Sequence, residues 1–126
     1  MTFDTGVMVA LDKDNREAWT ALKTYVRSGR IPTIPTVVVA QAWRDGTRQA
    51  RLAKALKHCR AEALDEGAAR AVGELCGRAG TADVVDAAVV VGAFRRRDVV
   101  LTGDARELEL LASYLPARGV VVVGLG

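Results

Sequence analysis

Four aspartates stand where a chain of alternating strands and helices would turn from one element to the next. They are Asp4 in Phe3-Asp4-Thr5-Gly6, the pair Asp83 and Asp86 in Thr81-Ala82-Asp83-Val84-Val85-Asp86-Ala87-Ala88, and Asp104 in Leu101-Thr102-Gly103-Asp104. Singly such residues are ordinary. A strand-ending Asp caps the helix that follows, and acids in a first helical turn complement its dipole, at about 0.3–1 kcal/mol each. Together they mean more, because ligands of open α/β sheets bind beyond the carboxyl ends of the strands. Carboxylates meeting there offer the hard oxygen donors that Mg²⁺ takes. Like charges about 4 Å apart repel by on the order of 4 kcal/mol at an effective dielectric of about 20. Such a group persists near neutral pH only by sharing protons or holding a cation. A cation so held acidifies a bound water and stabilises charge on phosphate oxygens. The implied chemistry is metal-dependent hydrolysis of a phosphodiester.

The elements that must carry these acids alternate in a βαβα-like order. Thr2 to Asp4 reads as a very short strand and Thr5 to Leu11 as a helical turn or two. Asn15 to Arg27 is an amphipathic helix with Ala18, Trp19, Leu22, Tyr25 and Val26 on one face, ended by Ser28-Gly29. Ile31 to Pro35 is a strand kept short by its prolines. The run Thr36 to Trp43 is β-branched like a strand yet opens on Pro35-Thr36 like a helix, and is read here as a helix. Thr47 to Lys57 is a helix and Ala61 to Leu64 a short strand. Asp65 caps a helix running to about Cys76, ended by Gly77 and Gly80. A helix starting at Thr81 or Ala82 has Asp83 and Asp86 in its first turn, on one face. Val99 to Thr102, apolar throughout, is the clearest central strand, Glu107 to Tyr114 is expected as a helix, and Val120 to Val123 as a final buried strand.

With 126 residues, 50% of them hydrophobic and 5% aromatic, the chain is expected to form one domain over 1–126 around a core of Val, Ala and Leu. Roughly two-thirds of the unfolded surface can be buried at this length. The composition excludes a disordered chain and a disulfide framework. Cys59 and Cys76 make no metal-type spacing with each other or with His58 and read as small buried thiols. No apolar run approaches the roughly 20 residues of a membrane span, and no basic stretch precedes an apolar one at the N-terminus. A soluble, cytoplasmic protein is expected. The formal charge is only +3. Its distribution is uneven, with Arg44, Arg48, Arg51, Lys54 and Lys57 in one segment and Arg95-Arg96-Arg97 in another. Each cluster is either a solvated helix face or a basic surround that would suit a polyanion.

On the acidic motifs quoted above, with Leu108 following the last, the chain resembles the PIN-domain ribonucleases, specifically the VapC-type toxins of bacterial toxin–antitoxin pairs. The resemblance spans essentially the whole chain. It implies a three-layer α/β/α domain with a central, mostly parallel sheet of four to five short strands. It implies Asp4, Asp83 and Asp104 as catalytic, metal-coordinating acids, with Asp86 contributing from the same helical face. Thr5 and Thr102 would support them by hydrogen bonds to carboxylates or to a metal water. Mg²⁺ or Mn²⁺ would be the cofactor, RNA the substrate, and the assembly a homodimer silenced by a small antitoxin.

One departure stands out. Where the family usually has Glu on its second main helix, Val38-Val39-Ala40-Gln41-Ala42-Trp43 has Gln41. Gln41 is kept among the catalytic positions, because an amide can offer an oxygen ligand or orient a water. It supplies no negative charge, so metal affinity is expected to fall; Asp45, four residues on, is a conceivable substitute. Arg44 and Arg48 are expected to guide the RNA backbone through contacts that weaken with salt. A PIN-like module that binds RNA or a partner without cutting is the main rival. Asp4-Thr5-Gly6 is also the aspartic-protease triplet, but that fold is nearly all β while helical patterns dominate here. A receiver-like regulator would want a lysine near the end of a late strand, and none is present. Trp19 and Trp43 are expected in the core or at a dimer contact, with base stacking as the lesser option. His58, among Lys57, Cys59 and Arg60, is a poor general base.

Overall fold

The computed structural model describes residues 1–116 and 120–125. Five strands lie in the order β3-β2-β1-β4-β5: β1 Thr2–Phe3, β2 Thr33–Pro35, β3 Arg60–Glu62, β4 Val99–Thr102 and β5 Val121–Gly124. Every pairing is parallel, so the sheet is wholly parallel. The connections are helical, as parallel crossovers require: α1 Thr5–Asp12, α2 Arg16–Arg27, α3 Thr36–Ala42, α4 Ala50–Leu56, α5 Glu66–Ala79, α6 Val84–Arg96 and α7 Ala105–Ala112. Helices flank the sheet in a three-layer α/β fold. α1 packs against α2, α3 and α4, while α6 packs against α3, α5 and α7.

Short strands suffice because the middle of the sheet is fully buried. Phe3, Ile34 and Val100 are inaccessible, packed with Val7, Met8 and Leu11 of α1 and Val89 and Val90 of α6. Each such side chain contributes about 1.5–3 kcal/mol of hydrophobic stabilisation. The register Thr2↔Val100 and Phe3↔Leu101 places the ends of β1 and β4 side by side. The residues just past them, Asp4 and Gly103-Asp104, therefore emerge together.

Several boundaries differ from the sequence reading. The ambiguous run Thr36–Ala42 is helical, as expected. α4 starts at Ala50 rather than Thr47, because Asp45 to Thr47 forms a turn of its own. β3 starts one residue early, at Arg60. α5 runs past Gly77 to Ala79 and ends at Gly80, whose φ of 69° is left-handed; one glycine with that conformation ends a helix, not each glycine in it. α6 opens at Val84, with Asp83 as its cap instead of inside its first turn. α7 lies at Ala105–Ala112, two residues earlier than expected. β4 is an interior strand between β1 and β5, as its unbroken apolar run implied.

The expected burial of the last strand is wrong. β5 is an edge, with Val121 57% and Val123 43% exposed. A run of β-branched residues reports strand propensity without telling an interior position from a border.

The arginine run at the end of α6 is split by the fold. Arg96 turns inward, pairing through Nη1 with Glu62 and donating from Nη2 to Thr2 Oγ1 at 2.7 Å. Arg95 stays exposed and reaches the Gly67 carbonyl at 3.5 Å. Arg97 adopts a left-handed φ of 54° as the helix ends. Cys59 and Cys76 are both free thiols, and burial pushes Cys59 up to about 12. Trp19 and Trp43 pack against the core.

Candidate functional site

The site grows from Asp4. Its N–H donates to the Leu101 carbonyl at 3.2 Å, carrying the β1–β4 ladder one residue beyond the strand. Its side chain then turns back as the cap of α1. Oδ1 accepts the Val7 N–H at 2.9 Å and the Gly103 N–H at 3.3 Å, while Oδ2 accepts the Thr102 hydroxyl. Thr102 Oγ1 in turn accepts the Asp104 N–H at 2.8 Å. One buried hydroxyl thus joins the first acidic motif to the last.

The two turns meet as bare backbone. A Cβ built on Gly6 would lie 3.2 Å from Gly103 Cα, and one on Gly103 would lie 3.3 Å from Gly6 Cα. Both distances are tighter than most Cβ contacts and fall on backbone, so a side chain at either position would push the two turns apart by a few tenths of an ångström.

Asp83 caps α6, its Oδ1 accepting the Asp86 N–H at 3.0 Å. Asp86 lies within hydrogen-bonding reach of the Asp83 carboxylate. Burial first, then the Asp83 charge and that hydrogen bond, then the charges of Asp4 and Glu107, push Asp86 up from 3.8 to about 7. Asp4 is raised too: its burial outweighs the donors from Thr102, Val7 and Gly103, and the Asp104 charge adds to the rise. Asp104 precedes α7 without capping it through its side chain, which leaves that carboxylate uncommitted. The fold therefore brings Asp4, Asp83, Asp86 and Asp104 into electrostatic contact. Glu107 joins them, and the sequence reading had it only as the start of a helix. Its three-residue spacing from Asp104 was the available signal.

At the rim, Thr5 Oγ1 donates to Gln41 Oε1 at 2.6 Å, so Gln41 stands one residue from Asp4. Thr5 is thus turned towards Gln41, whereas Thr102 bonds a carboxylate directly. Asp45 does not substitute for the missing acid. It accepts from the Thr47 N–H and hydroxyl, which hold its exposed carboxyl below the usual range, and Arg48 lies 3.7 Å away. Arg44 folds back onto the end of α3, donating to the carbonyls of Ala40 at 3.0 Å and Trp43 at 2.7 Å. Both Arg44 and Arg48 are exposed, and neither is paired with the acidic group. The loop bearing them is held by Gln49, which the sequence reading overlooked. Its Oε1 accepts the N–H groups of Arg44 and Asp45, and its Nε2 donates to Ala42 O and Asp12 Oδ2.

The donor set suits a hard divalent cation. All five groups are carboxylates, and among the described residues none of them forms an ion pair with a basic side chain. No three acidic, histidine or cysteine side chains among the described residues stand at ligand distance from a common point. Mg²⁺ does not demand that: it keeps several waters and is commonly held by one or two carboxylates. Unrelieved repulsion with hard oxygen donors is the chemistry such an ion answers.

No family model matches the chain and no curated protein matches it. Solved structures do. A chain of the VapBC2 complex from Rickettsia felis, bound to a DNA fragment from its promoter, superposes with a TM-score of 0.73 at 14% identity, covering 99% of this chain and 98% of that one. A chain of a toxin–antitoxin complex from Klebsiella pneumoniae gives 0.70 at 19% identity, covering 95% and 94%. At these identities the likeness is one of fold. Among the described residues no helix is long and apolar enough to cross a membrane.

Proposed function

We propose that this chain is a Mg²⁺- or Mn²⁺-dependent endoribonuclease, the toxin of a type II toxin–antitoxin pair, acting in the cytoplasm as a homodimer and held silent by a cognate antitoxin. One observation carries the catalytic part. Burial, with the charges of acids from other segments, raises the proton affinity of Asp4 and Asp86 at the carboxyl end of a parallel sheet, and among the described residues no basic side chain pairs with either. The toxin role is supported by the fold shared with chains of two toxin–antitoxin complexes.

Asp4, Asp83, Asp86 and Asp104 would hold the ion. When bound, it would lower the pKa of a coordinated water and neutralise charge on the phosphate oxygens. The protein's own contribution is largely orientation. Asp4 is fixed by three donors, so its carboxylate cannot swing away from the site. Asp104 keeps its side chain free while its backbone is tied to Thr102. Asp83 and Asp86 are acceptors able to take the proton of an attacking water. Arg44 and Arg48 would steer the RNA backbone from the neighbouring loop.

Incubation of the purified protein with structured RNA and Mg²⁺ or Mn²⁺, beside an Asp4→Asn/Asp104→Asn variant, tests the proposal. Metal-dependent cleavage lost in the variant supports it. The absence of three acids around one point among the described residues, and an amide at Gln41, favour a second reading: a PIN-like module that binds RNA or a partner without cutting. RNA shifted on a gel but left intact with either metal would establish that reading.

A further inference from the structure

Two glutamines flank the loop after α3, and their hydrogen bonding is opposite in kind. Gln49 is buried and saturated, with two N–H groups on its oxygen and two acceptors for its Nε2 protons. Gln41 is exposed and used at one end only. Its Oε1 accepts from Thr5 at 2.6 Å, and no acceptor among the described residues takes its Nε2 protons. With the oxygen held against Thr5, the two N–H donors at the other end of this exposed carboxamide have no acceptor among the described residues. They are presented beside the Asp4 turn, at the edge of a site otherwise lined by acceptors. A phosphodiester entering such a site meets repulsion from every charged carboxylate, and an N–H donor at the edge gives its oxygens a favourable contact.

We propose that Gln41 is a substrate-positioning residue whose Nε2 donates to a non-bridging phosphate oxygen of bound RNA, and that it is not a metal ligand. The assignment rests on the nuclease reading above. Ligation would have to use the lone pair of Oε1 that Thr5 leaves, whereas phosphate binding uses the Nε2 end, which has no partner among the described residues. Thr5 acts through Gln41 by fixing which end faces outward.

Fluorescence anisotropy with a short fluorescein-labelled RNA, in Ca²⁺ to permit binding without turnover, measures the RNA arm. Calorimetric titration of the protein with Mn²⁺ alone measures the metal arm. Gln41→Ala should weaken RNA binding about tenfold, the loss of one hydrogen bond to a charged group, and change the Mn²⁺ Kd by less than about twofold. Gln41→Glu, similar in size but without the donors, should bind RNA at least as weakly while taking Mn²⁺ more tightly. Thr5→Val should reproduce part of the RNA loss, and the Thr5→Val/Gln41→Ala double variant should be no weaker than Gln41→Ala alone, since both act on the same hydrogen bond. RNA affinity unchanged in Gln41→Ala, or an equal tenfold loss in Mn²⁺ affinity, overturns the assignment while the nuclease reading stands. A wild-type protein that binds no RNA removes both together.

Discussion

The molecule holds two groups of acids under similar constraint, and their neighbours set them apart. At the amino end of β4, Asp98 Oδ1 lies 2.6 Å from the Met1 ammonium and its Oδ2 accepts the Thr2 hydroxyl at 2.8 Å. Arg96 Nη2 donates to the same Thr2 oxygen, and Nη1 pairs with Glu62. At the carboxyl end of the sheet, Asp86 feels the charges of Asp83, Asp4 and Glu107, and Asp4 feels that of Asp104. Burial raises the carboxyls in both places. Around Asp98 it is outweighed by the ammonium, the Thr2 hydroxyl and the Val99 N–H, which hold that group below its ordinary value. Around Asp86, neighbouring acids add to burial and carry it to about 7. A carboxylate surrounded by cations and donors belongs to the scaffold; one surrounded by its own kind is poised for a ligand.

The sharpest way to break this contrast is catalytic. Asp104→Asn should reduce metal-dependent RNA cleavage by roughly a thousandfold, the scale of losing one group that stabilises transition-state charge, while circular dichroism stays native. Arg96→Met should instead leave an otherwise folded protein active but less stable, by about 2 kcal/mol in urea denaturation, because Glu62 and Asp98 lose their shared cation. If Arg96→Met cost nothing, the compensated group would not be structural.

The pH dependence runs in opposite directions at the two ends. Asp86 has a folded pKa of about 7, above its unfolded one. Metal-free stability should therefore fall as pH rises from about 4 to about 7. Asp86→Asn should recover on the order of 1 kcal/mol at pH 8 and almost nothing at pH 4, after allowing for solvent screening of a half-exposed group. Saturating Mn²⁺ should reverse the ranking of the two proteins at pH 8. Asp98 is depressed, so its contribution is present above about pH 4 and is lost as acid protonates it. Asp98→Asn should cost up to about 1 kcal/mol at pH 7, a difference that vanishes in strong acid. The smallest effect is expected from an Arg44→Ala/Arg48→Ala variant, in which the slope of RNA affinity against salt should fall by about one for each phosphate no longer neutralised.

The acidic motifs and helix caps were legible because their causes are local. Asp65 and Asp4 accept N–H groups three residues on; Asp83 does the same, although the spacing placed it inside its helix instead of at the cap. The alternation of strands with helices was readable for the same reason. What was hidden depends on distant neighbours. Arg96 looks like its two flanking arginines until β1 and β3 place Thr2 and Glu62 beside it. Gln49 is one more polar residue until the loop folds over it. β5 reads as buried because nothing in Val120-Val121-Val122-Val123 says that only one neighbour will pair with it. Glu107 was within reach of spacing alone and was passed over.

The bond from Thr102 to Asp4 spans 98 positions of sequence. During synthesis, Asp4 leaves the ribosome early, while the hydroxyl and the glycine amide that anchor it are still to be translated. Until β4 docks beside β1, Asp4 can keep only its cap bond to Val7, and the acids of α6 and α7 are not yet beside it. On the nuclease reading proposed above, incomplete chains would lack activity, and the interval for capture by an inhibitor would open only when the late strand arrives.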